Sequence, residues 1–201
     1  AFIHRLMLRY ARHGKCVVRL KGGDPCIFGR GGEEAQWLRE RGVEVELVNG
    51  ITAGLAGATQ CDIPLTLRGV ARGVTLVTAH TQDDSQLNWQ ALAQGGTTLV
   101  VYMGVAKLDE IRDQLLAGGM AADTPVAMIE NASLPHQREC RSVLTAMSEA
   151  AYRFQLKSPA ILVIGAVAGY AEDQKIAACG SSYIESACAL LELPKAAIFK
   201  T

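Results

Sequence analysis

Short apolar runs alternate with helix-patterned segments along most of this chain, and that alternation limits the fold more than any other feature. Residues 16–20 (CVVRL), 43–48, 74–78, 98–103, 126–130 and 160–165 have the length and apolar or alternating character of strands. Residues 35–41, 52–60 and 143–154 read as helices, as does the stripe Leu108, Ile111 and Leu115. At the start, Ile3, Leu6, Met7 and Tyr10 fall at helical spacing, which predicts one buried face of an amphipathic helix. Breakers separate the elements: Gly22-Gly23-Asp24-Pro25, Gly42 and Gly118-Gly119. Such alternation predicts an α/β fold, with the direction of each strand left open. The helix at 52–60 is rich enough in Ala and Gly to pack very close to a sheet. Pro64 opens an extended PLTLRG segment, and residues 65–72 are the expected hinge between two α/β lobes.

Composition closes off several function classes. With 201 residues, 49% of them hydrophobic and 20% charged, the chain can bury a real core. Twenty Lys and Arg balance twenty Asp and Glu, so no global field draws in nucleic acid or anionic lipid. The charge is uneven, with nine basic and four acidic residues in 1–41. A solvated helix face is the ordinary cause of such a run. The longest apolar stretch, residues 160–171, is too short to span a bilayer. Six cysteines show no C-x-x-C and four histidines are scattered, so no metal site is expected. Reduced thiols and a cytoplasmic location are the expectation.

The most informative stretch is 18–34, VRLKGGDPCIFGRGGEE. A buried strand there would end in two glycines and an acid before Pro25 stops it. Glycine suits a backbone that must turn left-handed or let a ligand touch it, and exposed N–H groups bind anions. Ligands of open α/β sheets sit at the carboxyl ends of strands. The tetrapeptide GGDP alone is most often a turn. Neither a G-x-G-x-x-G nor a G-x-x-x-x-G-K-[ST] pattern occurs, so nucleotide cradles of those kinds are not indicated.

The full stretch LKGGDPCIFGRGGEE closely resembles a signature of the tetrapyrrole methylase family, in the branch that methylates uroporphyrinogen III. Further blocks follow in order: NGITAGLAGATQCDIPLTLRG, VTLVTAH, LVVYMGV, PVAMIENASLPHQR and PAILVIGAVAG. The same blocks occur in the methylase half of bifunctional siroheme synthases. The resemblance covers about residues 2–169. It implies a two-domain α/β fold with S-adenosylmethionine held in the cleft between the domains. Here the domains would be 1–68, the remainder of an N-terminal domain lacking its first strand or strands, and 69–170, followed by a divergent tail at 171–201. The implied reaction is successive methylation of two ring carbons of uroporphyrinogen III to precorrin-2, in siroheme and cobalamin synthesis, by a homodimer.

Carried over block by block, the implied cofactor contacts are Gly22, Gly23, Asp24, Ile27, Thr52, Ala53, Met103 and Ala132. Arg30, Arg68 and Arg138 lie in matched blocks and are candidates for a polycarboxylate substrate. Each has a plainer reading: Ile27 and Met103 as packing, Thr52 as a helix N-cap, each arginine as a surface ion pair. The sequence departs from the pattern at Cys26, Leu67, Ala79 and within NASLPHQR, and Ala79 adds a Cβ where the family has glycine. No catalytic residue is assigned, because the acidic residue and lysine linked to proton transfer in relatives lie upstream of the matched segment. The G-x-G-P-G-D loop of relatives is likewise not found, so the chain is expected to be an incomplete fragment without competent turnover of its own. A later precorrin methyltransferase, or a non-catalytic module retaining the fold, are the alternatives.

Overall fold

The computed structural model describes residues 2–80 and 87–170. Its centre is a five-stranded mixed sheet: β1 (Val74–Thr78), β2 (Thr98–Tyr102), β3 (Pro125–Glu130), β4 (Arg138–Val143) and β5 (Ala160–Ile164). The strand order is β1-β2-β5-β3-β4. Only β1 and β2 run parallel; β5 is antiparallel to β2 and β3, and β4 to β3. The central strands β2 and β5 are buried at every position, as is nearly all of β3. That explains why their sequences are continuous apolar runs rather than alternations.

Each strand sends alternate side chains to opposite layers. Leu99, Val101, Met128 and Leu162 meet α4 (Trp89–Gln94), α5 (Leu108–Ala117) and α6 (Met147–Phe154) on one face. Val100, Tyr102, Ile129 and Val163 face α3 (Ala53–Gln60) on the other. Helix α3 comes as close as its small residues permit. A Cβ on Gly54 would lie 2.5 Å from Val100, and one on Gly57 2.9 Å from Ala132.

Three expectations need correction. Residues 16–20 and 43–48 are extended but join no ladder among the described residues, and Val18, Leu20 and Val48 are exposed. Alternating apolar residues supply strand propensity, but a strand exists only where a partner accepts its backbone hydrogen bonds. Helix α1 (Phe2–Arg12) forms as expected, yet of its stripe only Met7 is buried; it packs against α2 (Gly31–Arg39) through His4 on Trp37. Strand β4 was not foreseen, because its sequence RECRSV is charged and lies on the sheet edge. Part of the polar stretch at 82–94 and the whole tail at 171–201 lie outside the described residues; within the former, α4 starts at Trp89.

The described thiols divide by environment. Burial and the neighbouring Glu139 carboxylate push Cys61 up to about 12, and the same two causes raise Cys140, whereas Cys16 and Cys26 are exposed. Alkylation of the native protein at mildly alkaline pH should therefore modify Cys16 and Cys26 well before Cys61. Peptide mass mapping over a time course reads the order, and early labelling of Cys61 would contradict the packing.

Candidate functional site

The sheet register brings three strand ends together. Thr78 pairs with Tyr102, Tyr102 with Ile161, and Ile161 with Ile129, so β1, β2 and β3 all finish along one edge of the sheet. Just past them come Ala79, Met103 and the turn Asn131-Ala132. Met103, Asn131 and Ser133 have left-handed backbones (φ 56°, 53° and 69°), a conformation that costs energy without glycine. Met103 is half exposed there. Ala79 needs no such conformation: it is not among the left-handed residues, and its N–H donates to the Tyr102 carbonyl at 2.9 Å. The family's glycine is thus replaced at a position where alanine fits.

The GGDP loop reaches the same edge through the NGITA loop. Gly23 is left-handed (φ 79°), and a Cβ on it would lie 3.3 Å from Thr52 Cα and 3.6 Å from the Ala53 nitrogen. The two loops therefore touch backbone to backbone. Asp24 ties them: one carboxylate oxygen accepts from the Cys26 N–H at 2.7 Å, the other from the Gly50 N–H at 3.2 Å. With both oxygens engaged by main chain, Asp24 is a brace in this structure. Lys21, half-buried, donates to the Gly29 carbonyl and pairs with Glu34 at 3.0 Å, with Arg19 3.5 Å from the same carboxylate. Burial opposes the charged form of Glu34, but Lys21 and Arg19 outweigh it and hold the carboxyl below its ordinary range. This ion cluster fastens the strand-like segment before the glycines to helix α2.

Thr52 occupies the N-cap of α3, as expected, but its hydroxyl makes no capping bond. It lies 2.7 Å from the Tyr102 hydroxyl, which also accepts the Gly54 N–H at 3.0 Å. Tyr102 thus takes over the capping that the threonine does not perform. Ile27, Ala53 and Ala132 all pack, partly buried, on the α3-side apolar layer. The residues named from the resemblance thus lie on four separate loops, of which the GGDP and NGITA loops touch directly.

The arginines differ from one another. Arg30 is exposed and paired with Glu33, also exposed, and Arg68 is exposed. Arg138 is instead engaged by the fold. Its guanidinium pairs with buried Glu130 at 2.7 Å, lies over the Phe154 ring and donates to the carbonyls of Phe154 and Gln155. Glu130 also accepts from the Lys157 N–H at 2.8 Å, and these bonds hold its carboxyl below the ordinary range.

Sequence reasoning passed over Tyr102, Lys21 and Glu34, although all three lie inside the motif blocks. Their only signal was a polar atom placed beside a strand end or glycine turn. A groove of about 410 Å³ beside Arg72, Gly73 and Gly95 opens at the start of β1 and β2, the opposite end of the sheet, and gathers no comparable set of polar groups. Among the described residues no cluster of His, Cys, Asp and Glu could hold a metal ion.

Known proteins resemble this chain in sequence and in fold. A family model for Tetrapyrrole (Corrin/Porphyrin) Methylases matches residues 1–148. A uroporphyrinogen-III C-methyltransferase of Pseudomonas fluorescens is 74% identical over 181 residues, 90% of this chain and 73% of that relative. One of Pseudomonas aeruginosa is 74% identical over 166 residues, 83% of this chain and 68% of the relative. The crystal structure of a uroporphyrin-III C-methyl transferase from Thermus thermophilus, complexed with S-adenyl homocysteine, superposes with a TM-score of 0.72 at 40% identity. That match covers 83% of this chain and 73% of the other.

Proposed function

From a chain that belongs to the tetrapyrrole methylase family, we infer an S-adenosylmethionine-dependent methyltransferase acting on uroporphyrinogen III to give precorrin-2. The observation that carries this reading is the 74% identity to a uroporphyrinogen-III C-methyltransferase along 90% of the chain. The geometry supports it, since the motif loops meet at the carboxyl ends of strands, where open α/β sheets bind ligands.

The residues fit the cofactor. Gly22 and Gly23 leave main chain uncovered, and Ile27, Ala53 and Ala132 offer an apolar floor for a flat base. Met103 supplies a soft thioether at the exposed rim. Gly22, Gly23, Asp24, Ile27, Thr52, Ala53, Met103 and Ala132 would hold S-adenosylmethionine, with residues 1–68 and 69–170 as the two lobes around it. When bound, the cofactor would supply a sulfonium methyl group that an electron-rich pyrrole carbon could attack in line, with S-adenosylhomocysteine as the leaving group and a proton then lost from the ring. The residues named here contribute alignment, which lowers the barrier without any covalent or metal-bound stage. Arg68 is exposed and suited to bidentate pairing with a substrate carboxylate, and Arg30 is exposed too, although a substrate would have to share it with Glu33. Arg138 supports the fold beneath the Ala132 turn.

Placement in siroheme or cobalamin synthesis, assembly as a homodimer and a cytoplasmic location belong to the same proposal. No helix among the described residues is long and apolar enough to cross a membrane.

Incubating the full-length protein with uroporphyrinogen III and methyl-labelled S-adenosylmethionine tests the reading. Label in precorrin-2 is expected, together with binding of S-adenosylhomocysteine by calorimetry. Transfer only to later precorrins would assign the chain to another step. Absence of both transfer and binding would refute the proposal.

A further inference from the structure

The separate motif loops of the site meet on Tyr102. It is buried at the end of β2, one residue before the left-handed Met103. Its hydroxyl reaches the NGITAG loop twice, at Thr52 Oγ1 (2.7 Å) and at the Gly54 N–H (3.0 Å). Its ring packs on Phe28 of the GGDPCIF loop, centroids 4.8 Å apart. Its carbonyl accepts the Ala79 N–H of the VTAH block. The fit is close on every side. A Cβ on Gly54 would stand 2.5 Å from the tyrosine oxygen, so only glycine at that position lets the hydroxyl seat itself.

We propose that Tyr102 is a positioning residue for the cofactor: its hydroxyl sets the placement of Thr52–Ala53 relative to Met103, and its ring sets that of the glycine loop. The inference rests on the cofactor site proposed above and adds to it a residue that would not itself touch the ligand. Two physical points carry it. The hydroxyl is buried and holds two polar groups at once, so its loss leaves the Thr52 hydroxyl and the Gly54 N–H without partners in a dry interface. The left-handed Met103 is held only if its neighbour is anchored, because such a backbone persists where surrounding contacts overdetermine it.

Tyr102→Phe removes one oxygen and keeps the ring on Phe28. In the full-length protein the expected result is a rise of about tenfold in Kd for S-adenosylhomocysteine and in KM for S-adenosylmethionine, the size of one lost buried hydrogen bond. KM for uroporphyrinogen III should stay within about twofold, since the hydroxyl faces the cofactor loops. Hydrogen exchange of the Gly54 amide should quicken in the same variant.

Thr52→Val and Tyr102→Phe should be non-additive in Kd, because either removes the shared bond, while Thr52→Ser should retain most of the affinity. A Tyr102→Phe protein that loses thermal stability but binds S-adenosylhomocysteine like the wild type overturns the inference. So do equal rises in both KM values, or additive single effects. Failure of the unsubstituted protein to bind S-adenosylhomocysteine would instead strike at the proposed function itself.

Discussion

Gly23→Val is expected to reduce S-adenosylhomocysteine binding roughly hundredfold or more, because an error of about 1 Å in a positioned site can cost that much. Two effects combine. The backbone at Gly23 is left-handed (φ 79°), which a β-branched residue adopts only with strain of about 1–3 kcal/mol. The new side chain would also press on Thr52 Cα and the Ile51 carbonyl, 3.3 and 3.4 Å from its Cβ, so relief must come from moving the loop that opens α3. Gly23 itself is exposed and belongs to neither apolar layer, so the variant should remain folded. Gly14 provides the control. It is equally left-handed (φ 70°) but has nothing within 4 Å, so Gly14→Val carries the strain without the displacement. Calorimetric titration of both variants, with circular dichroism to confirm folding, decides the matter. Normal binding by a folded Gly23→Val protein would reduce the GGDP segment to an ordinary turn.

The second large effect is expected at Glu130. Its carboxylate is buried at the end of β3 and accepts from Arg138, the Lys157 N–H and Asn131. Glu130→Gln keeps the shape but removes the charge, leaving the Arg138 guanidinium and the Lys157 amide with a weaker partner. Arg138 is partly exposed, which lets water compensate, so a loss of about 2–3 kcal/mol is expected rather than the larger cost of a fully buried pair.

The pH dependence carries a definite sign. The bond to Arg138 and then that to the Lys157 N–H lower the carboxyl pKa in the fold, so the unfolded chain takes up a proton there first as pH falls. The stabilisation is complete above the ordinary value of 4.5 and disappears as pH drops through the lower folded value. Urea unfolding of wild type and Glu130→Gln should therefore differ at neutral pH and converge in acid well below 4.5. Groups common to both proteins, Glu34 among them, cancel in that difference. A gap that persists or widens in acid would mean that the carboxylate does not carry the stabilisation.

The chemistry of the site was legible in its blocks and not in its contacts. Gly22, Gly23 and Asp24 stand out because glycine beside an acid after an apolar run is conspicuous in any sequence. Tyr102 does not, since an aromatic residue closing an apolar run looks like core. Its importance comes from Thr52, fifty positions earlier, and from Phe28, earlier still. Arg138 shows the same limit from the other side: its block suggests a substrate ligand, and only the structure shows that Glu130 and Phe154 engage it within the fold.

What the sequence alone determined are the features that depend on neighbours along the chain. The buried strands at 98–103, 126–130 and 160–165, the helix stripes and the glycine turns all follow from local burial and backbone freedom, which a short window records. What the tertiary structure decided depends on distant partners: the order β1-β2-β5-β3-β4, the antiparallel direction of most pairs, and the charged edge strand β4. The apolar run at 16–20 and the alternation at 43–48 are equally clear in the sequence, yet those residues join no ladder among the described residues. The physical reason is the same throughout. Propensity and patterning are properties of a segment, whereas a ladder, a buried ion pair or the bond between Thr52 and Tyr102 exists only when the second group is brought to it.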